Sequence, residues 1–262
     1  MKRLLSDTMV VTERNLIRLA RAPEVLLAFT VQPIMFVLLF RYVFGGAVRV
    51  PGSSYVEFLI PGIAVQTIAF GGFVTAIGLN EDMRKGLIDR FRSLPMTRAA
   101  VLAGRTSADV VSSALALTIL ILTGLIIGFS FQTSPLHVII GLVLALTFGY
   151  ALLWACAFLG LLVKTPEAAN AVGFFVVFPV TFISSAFVPV QTLPTPLRQL
   201  AEVNPFTIVV NELRWLWTGL PSPDELWQAF AWVGVILVVF SSLAVHRYGR
   251  TATRDRRRRT RP

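Results

Sequence analysis

Few side chains in this sequence could do covalent or redox chemistry, and none stands in a constellation that would. His137 and His246 are its two histidines and Cys156 its one cysteine. The histidines have no clustered Cys, Asp or Glu partners of the kind a zinc site needs. Cys156 cannot form an internal disulfide and lies inside an apolar run, where a thiol's ordinary role is that of a small packing residue. A phosphate-binding loop requires Gly-Lys, but Lys2, Lys85 and Lys164 follow Met1, Arg84 and Val163. G-x-S-x-G is absent too, which removes the nucleophile turn of a serine hydrolase. No catalytic residue, metal ligand or cofactor is therefore expected on this chain.

The chemistry that remains is recognition. NEDMRKGLIDRFRSLP, residues 80–95, carries seven charged side chains in sixteen positions of a chain that is only 15% charged. Met83, Leu87, Phe91 and Leu94 recur at helical spacing, while Glu81, Asp82, Arg84, Lys85, Asp89, Arg90 and Arg92 fill the rest. Glu81 and Lys85 form an i,i+4 pair in the favourable order, and Pro95 ends the helix. A helix lying on lipid is one reading. A helix seated in a partner's groove is the other, and the mixed acidic and basic polar face favours it. Burying Met83, Leu87 and Phe91 there is worth about 1.5–3 kcal/mol each before ordering costs.

A second set of polar groups sits within the apolar runs: Gln32, Gln66, Thr67, Thr75, Thr181, Ser184 and Ser185. Hydroxyls in such places ordinarily bond to backbone or to neighbouring helices. Gln32 and Gln66 are the stronger candidates for lining a pathway, because an amide in lipid needs a partner and Pro33 and Pro61 nearby can open kinks. No Asp, Glu or Lys falls near the middle of a run; Arg41, Asp109 and Lys164 fall near ends. An ion-coupled carrier is disfavoured on that ground, and a hydrophobic or amphipathic cargo such as a drug, lipid or glycolipid is favoured.

These groups need elements to position them, and the elements are set by hydropathy. At 55% hydrophobic and a mean hydropathy of +0.72, the chain has too much apolar surface for an ordinary soluble domain. Apolar runs of about 18 residues or more can cross a hydrocarbon core of roughly 30 Å. Six are present: Val25 to Phe44, Phe58 to Leu79, Ala108 to Phe129, Val138 to Val163, Ala171 to Val190 and Gln228 to Val245. Their ends are marked by charge, Pro and Gly rather than by alternation, so the expected fold is an all-α membrane protein with six transmembrane helices, not a β-barrel. Charges throughout the first twenty-one residues argue against a cleaved signal peptide.

Assigning loops to alternate sides puts 20 of the 24 Lys and Arg residues with the two termini, the loop from Asn80 to Arg105 and the Lys164 turn. The positive-inside rule then makes that side the cytoplasm of a plasma-membrane protein, with both termini inside. The arginine-rich tail, residues 247–262, directly follows an apolar run and fits orientation and contact with anionic lipid; nucleic acid is not an expected partner. The N-terminal residues 1–23 are amphipathic. Leu5, Met9, Leu16, Leu19 and Ala20 share one side of a helical wheel and Arg3, Asp7, Arg14, Arg18 and Arg21 the other, with Val11 and Glu13 as exceptions, which suits an interfacial helix. In residues 191–226 Pro194, Pro196, Pro205, Pro221 and Pro223 break any long helix, so short re-entrant or interfacial helices are expected outside, with Trp215, Trp217 and Trp227 at headgroup depth.

Two blocks complete the pattern: EDMRKGLIDRFRSLPMTRAAVLAGR at Glu81 to Arg105, and AFVPVQTLPTPLRQLAEVNPFTIVVNELR at Ala186 to Arg214. Within them G-L-I-D-R-F-R-S-L-P and F-V-P…L-P…N-P are the specific parts, and in them the chain resembles the membrane subunit of an ABC-2-type exporter of the daunorubicin-resistance kind. The resemblance implies a transmembrane domain at 1–246 in which 1–23 is the elbow helix and 80–95 the coupling helix. Glu81, Asp82, Met83, Arg84, Leu87, Asp89, Arg90, Phe91, Leu94 and Pro95 would meet an ATPase, with a smaller contact from Lys164 to Glu167. Phe187, Pro189, Leu193, Pro194, Asn204 and Pro205 would belong to an extracellular cap, and Gln32, Gln66, Thr67, Ser184 and Ser185 to the substrate pathway. The implied partners are a second permease copy, two P-loop ATPase subunits that carry ATP and Mg, and membrane lipid. An ATP-independent carrier or channel and a membrane scaffold stand as alternatives.

Overall fold

The computed structural model describes residues 2–21, 23–46, 48, 50, 52–84 and 98–259, and these are helical with no strand among them. In chain order the helices are α1 (Lys2–Ala20), α2 (Pro23–Leu39), α3 (Tyr55–Arg84), α4 (Arg98–Ile126), α5 (Pro135–Leu162), α6 (Pro166–Phe182), α7 (Thr195–Glu202), α8 (Pro205–Thr218) and α9 (Leu226–Arg259). A π-helical turn at Phe40–Phe44 extends α2, and a 3-10 turn at Val190–Thr192 precedes α7.

Helix starts follow local chemistry. Ser134, Thr165 and Asn204 each precede a proline and accept a bond from the first turn, from His137 N at 3.5 Å, Ala168 N at 3.2 Å and Phe206 N at 2.9 Å. Proline fits the first helical position because its missing N–H would have no intrahelical acceptor there. At the other end of α8, Gly219 takes φ +71°, and its N–H closes on Trp215 O at 3.0 Å.

Among the described residues four helices are long and apolar enough to cross a membrane: Tyr55–Arg84, Leu102–Ile126, Pro135–Leu162 and Leu226–Tyr248. The other two expected runs fall on α2 and α6, each of 17 residues. The run Ala171 to Val190 is not one helix. It stops at Phe182, and residues 183–188 turn away because Ser184 and Ser185 bond locally and to a residue of α8, as detailed below.

The core centres on α3, whose Leu59, Ile60, Ile63, Ala64, Ile68 and Ala69 are fully buried against α5, α6 and α8. Small residues bring α3 and α5 together. A Cβ on Gly72 would lie 2.5 Å from Cys156 Sγ, and one on Gly160 would lie 2.7 Å from Ala76 O. Cys156 is buried there as a packing residue. A run of stacked rings joins α6 to α2: Phe174 to Phe178 at 4.7 Å, Phe178 to Phe182 at 4.1 Å, Phe182 to Phe187 at 4.8 Å, Phe187 to Phe40 at 4.5 Å and Phe40 to Phe44 at 5.2 Å.

Two expectations change here. On α1 it is Val11, off the apolar stripe, that docks, at 2% exposure against Gly104 of α4, while Met9 on the stripe is 74% exposed. The reason is the close approach of the two backbones, with Thr12 Oγ1 donating to Gly104 O at 3.1 Å, which only a side facing a glycine permits. Trp217 is not at a headgroup but fully buried, its ring against Gly141 and edge-on to Phe131 at 5.9 Å; Trp215 and Trp227 remain exposed. Helix α9 runs without a break across residue 246 to Arg259, so the basic tail begins as its continuation.

Candidate functional site

Residues 80–84, the described part of the charged segment, end α3 where it meets α4 and the α5–α6 connection. Of the expected coupling residues, Glu81, Asp82, Met83 and Arg84 form the last turn of α3; Leu87, Asp89, Arg90, Phe91, Leu94 and Pro95 lie outside the described residues. Asp82 does not present itself to a partner. It is buried and accepts from Arg105 Nη1 at 2.6 Å, with side-chain exposures of 7% and 11%.

That pair opens a longer polar knot. Arg105 Nε stands 3.8 Å from Asp109 Oδ2, which accepts from Thr75 Oγ1 at 2.6 Å. Arg105 lies across α3 at Gly78, where a Cβ would come within 1.9 Å of its Nη2. Asn80 continues the contact, donating to Val163 O at 2.9 Å and Gly160 O at 3.4 Å. The base of the segment is thus tied to α4 by a buried ion pair and to the Lys164 turn by an amide. Buried pairs of this kind fix one geometry strongly, since parting them strands a charge.

Arg105, Asp109 and Thr75 are not among the expected coupling residues; Thr75 stands with the polar groups of the apolar runs and Asp109 with the charges near their ends. The apolar run beginning at Ala108 puts Asp109 at a helix end, but α4 begins at Arg98 and carries Asp109 into its fourth turn. The i,i+4 spacing of Arg105 and Asp109 was the readable signal.

At the other end of the bundle a second network surrounds Arg214 of α8. Its Nε donates to Phe58 O at 2.9 Å, Nη1 to Ser185 Oγ at 3.1 Å and Asn211 Oδ1 at 3.2 Å, and Nη2 to Ser185 O at 2.5 Å and Ala186 O at 3.3 Å. The guanidinium also lies 3.5 Å from the centre of the Phe58 ring. Ser184 donates to Thr181 O at 2.5 Å and accepts from Ala186 N at 3.2 Å. Ser184 and Ser185 are therefore engaged in holding the 183–188 turn.

The remaining pathway candidates are scattered. Gln66 is buried with Nε2 lacking a hydrogen-bond partner, Thr67 is half-buried beside it, and Gln32 is exposed on the outer face of α2. The structure does not bring Gln32 to Gln66. Among the cap residues Asn204 and Phe187 are buried, Pro189, Leu193 and Pro205 half-buried and Pro194 exposed. Asn204 is the connector: besides capping α8, its Nδ2 donates to Val180 O and Ile183 O at 2.6 Å each, and Tyr55 of α3 donates to Phe187 O at 3.3 Å.

The model of one known family, described as ABC-2 type transporter, matches residues 6–217. The chain is 31% identical over 238 residues to the "Daunorubicin resistance ABC transporter permease protein DrrB1" of Streptomyces coeruleorubidus, covering 91% of this chain and 82% of that one. It is 24% identical over 250 residues to the "Probable doxorubicin resistance ABC transporter permease protein DrrC" of Mycobacterium tuberculosis, covering 95% and 90%. Against the "Putative transport permease ycf38" of Cyanophora paradoxa it is 26% identical over 222 residues, covering 82% and 75%.

Proposed function

The chain belongs to the ABC-2 type transporter family, as a multi-pass membrane transport component without an ATPase site of its own, and from that premise we propose that it is the permease subunit of an ATP-driven exporter. Its substrate is a hydrophobic or amphipathic molecule of the drug, lipid or glycolipid class. Two relatives carry daunorubicin or doxorubicin resistance in their names, and the nearly uncharged apolar helices suit such a cargo. In this reading α2 and α6 complete six crossings of the plasma membrane, both termini and residues 80–95 face the cytoplasm, and α7 and α8 cap the outer end. Two copies form the pathway, and two P-loop ATPase chains beneath them bind ATP and Mg.

The observation that carries the coupling role is the buried knot at the root of the charged segment. A helix pushed by a partner moves the bundle only if its base is rigidly joined to it, and Asp82–Arg105 and Asn80–Val163 are such joints. A force on residues 80–95 then reaches α3, α4 and the α5–α6 connection together. The pathway opens by alternating access or by lateral entry from the lipid side.

Co-purification from detergent, with the bound ATPase identified by mass spectrometry, tests this. Wild type is expected to carry a P-loop ATPase that the Leu87→Asp/Phe91→Asp form loses while still inserting. Retention by the double variant would overturn the coupling assignment. Full transport by this chain alone in liposomes would establish an autonomous carrier instead, and intact ATPase-dependent activity with the segment disrupted would point to a scaffold.

A further inference from the structure

We propose that the cavity between α8 and the start of α9 binds a primary ammonium group. The cavity measures about 340 Å³ and is lined by Glu212, Trp215, Ser222, Asp224 and Glu225, with Pro221 and Leu226 completing its wall. Three carboxylates face it and no Lys or Arg lines it. That volume is at the small end of ligand pockets and suits a head group rather than a whole drug-sized molecule.

The carboxylates are unequally satisfied. Asp224 Oδ2 accepts from Asn211 Nδ2 at 3.0 Å, and Glu225 Oε2 accepts from the Trp227 indole. Glu212 is 1% exposed and hydrogen-bonded to Ser222, but its Oε1 has no hydrogen-bond partner. A buried carboxylate oxygen left in this way is costly, and a cation able to donate an N–H relieves both the charge and the missing bond. Trp215 supplies a second element of recognition. Its ring is held edge-on to His137, with centroids 5.5 Å apart and planes at 89°, and it presents an aromatic wall to the same cavity.

The chemistry selects among cations. Trp215 attracts any organic cation, but the open acceptor on Glu212 needs a donor, which a quaternary ammonium lacks. Among the described residues no three His, Cys, Asp or Glu side chains gather as a metal-holding group. A primary ammonium, bonding to Glu212 and lying against Trp215, uses both features. It can come from a soluble amine or from the amine head group of a lipid. Binding is measured without ATP or an ATPase, so its outcome is separate from that of the permease reading.

The test is calorimetric titration of the full chain in nanodiscs of phosphatidylcholine, with ethanolamine hydrochloride and choline chloride as probes. Saturable ethanolamine binding at least tenfold tighter than choline is expected, together with at least a tenfold loss in Glu212→Gln and a smaller loss in Asp224→Asn. Both variants keep side-chain shape, and unchanged melting and elution profiles would show that each is folded. Nanodiscs containing phosphatidylethanolamine separate the sources: a weaker apparent ethanolamine affinity there identifies the lipid head group, and an unchanged one identifies a soluble amine. The proposal is overturned if ethanolamine shows no saturable binding, or if choline or Glu212→Gln binds equally well.

Discussion

Arg105, near the start of α4, reaches Asp82 at the end of α3 with a 2.6 Å ion pair that is almost wholly buried, within the part of the charged segment that α3 carries. Arg105→Met removes the cation that Asp82 and Asp109 share, whereas Asp82→Asn leaves Arg105 with Asp109 still 3.8 Å away. The arginine variant is therefore expected to be the worse, at the upper end of the roughly 3–5 kcal/mol typical of breaking a buried pair. Thermal unfolding in detergent checks the order, and equal losses would show that Asp109 is no second partner.

Gly78→Ala and Gly62→Ala make a contrasting pair. At Gly78 a new Cβ meets the flexible end of Arg105 at 1.9 Å, so the guanidinium can swing aside. At Gly62 it meets the backbone carbonyl of Ala186 at 2.0 Å, and the 183–188 turn cannot yield without losing its bonds to Arg214. Gly62→Ala is expected to cost at least the 1–3 kcal/mol usual for overpacking, and Gly78→Ala less. Thermal unfolding in detergent checks the order, and a loss in Gly78→Ala equal to that in Gly62→Ala would show that Arg105 cannot yield.

Asn204 both caps α8 and donates to Val180 O and Ile183 O. Asn204→Ala should cost about 0.5–2 kcal/mol for the cap alone, and more for the two carbonyls left without a donor. Asn204→Asp keeps the capping oxygen but turns a carboxylate oxygen toward those carbonyls. It is expected to melt below the alanine variant, an order opposite to that at an ordinary exposed cap.

The cavity carboxylates predict a pH dependence. Burial raises the Glu212 carboxyl above the usual carboxylate range, a hydrogen bond with Ser222 opposes the rise, and Asp224 beside it adds to it. Asp224 and Glu225 from the connection to α9 and His137 from α5, edge-on to Trp215, are the other titratable groups at the site. A raised carboxyl favours the fold while protonated, so the empty protein loses stability as pH climbs through the elevated range. Ethanolamine affinity should climb over the same interval, because the ammonium needs the ionised form. Titrations at stepped pH check the slope, which Glu212→Gln should flatten.

How far the sequence reveals this molecule depends on the range over which each feature is decided. Helix starts at Pro135, Pro166 and Pro205 are legible because the capping residue and the proline are adjacent. The end of α6 is not, since Phe182 is followed by six more residues of apolar or hydroxyl character whose turn is enforced by Arg214, some thirty positions on. Gln32 and Gln66 look equivalent on uniformly apolar helices, and only packing shows one exposed and the other buried. The Asp82–Arg105 contact joins residues on either side of the charged segment, where i,i+4 spacing cannot register it.

The stacked phenylalanines from Phe174 through Phe187 to Phe44 yoke α6 to α2. Phe174, Phe178 and Phe182 ride on α6 and Phe40 and Phe44 on the turn that extends α2, so a slide of one helix along the other parts the run at Phe187, 4.8 Å from Phe182 and 4.5 Å from Phe40. The two short apolar helices are thereby hinged on one ring, and a displacement that opens a passage must either carry the 183–188 turn with both of them or pull Phe187 out from between Phe182 and Phe40.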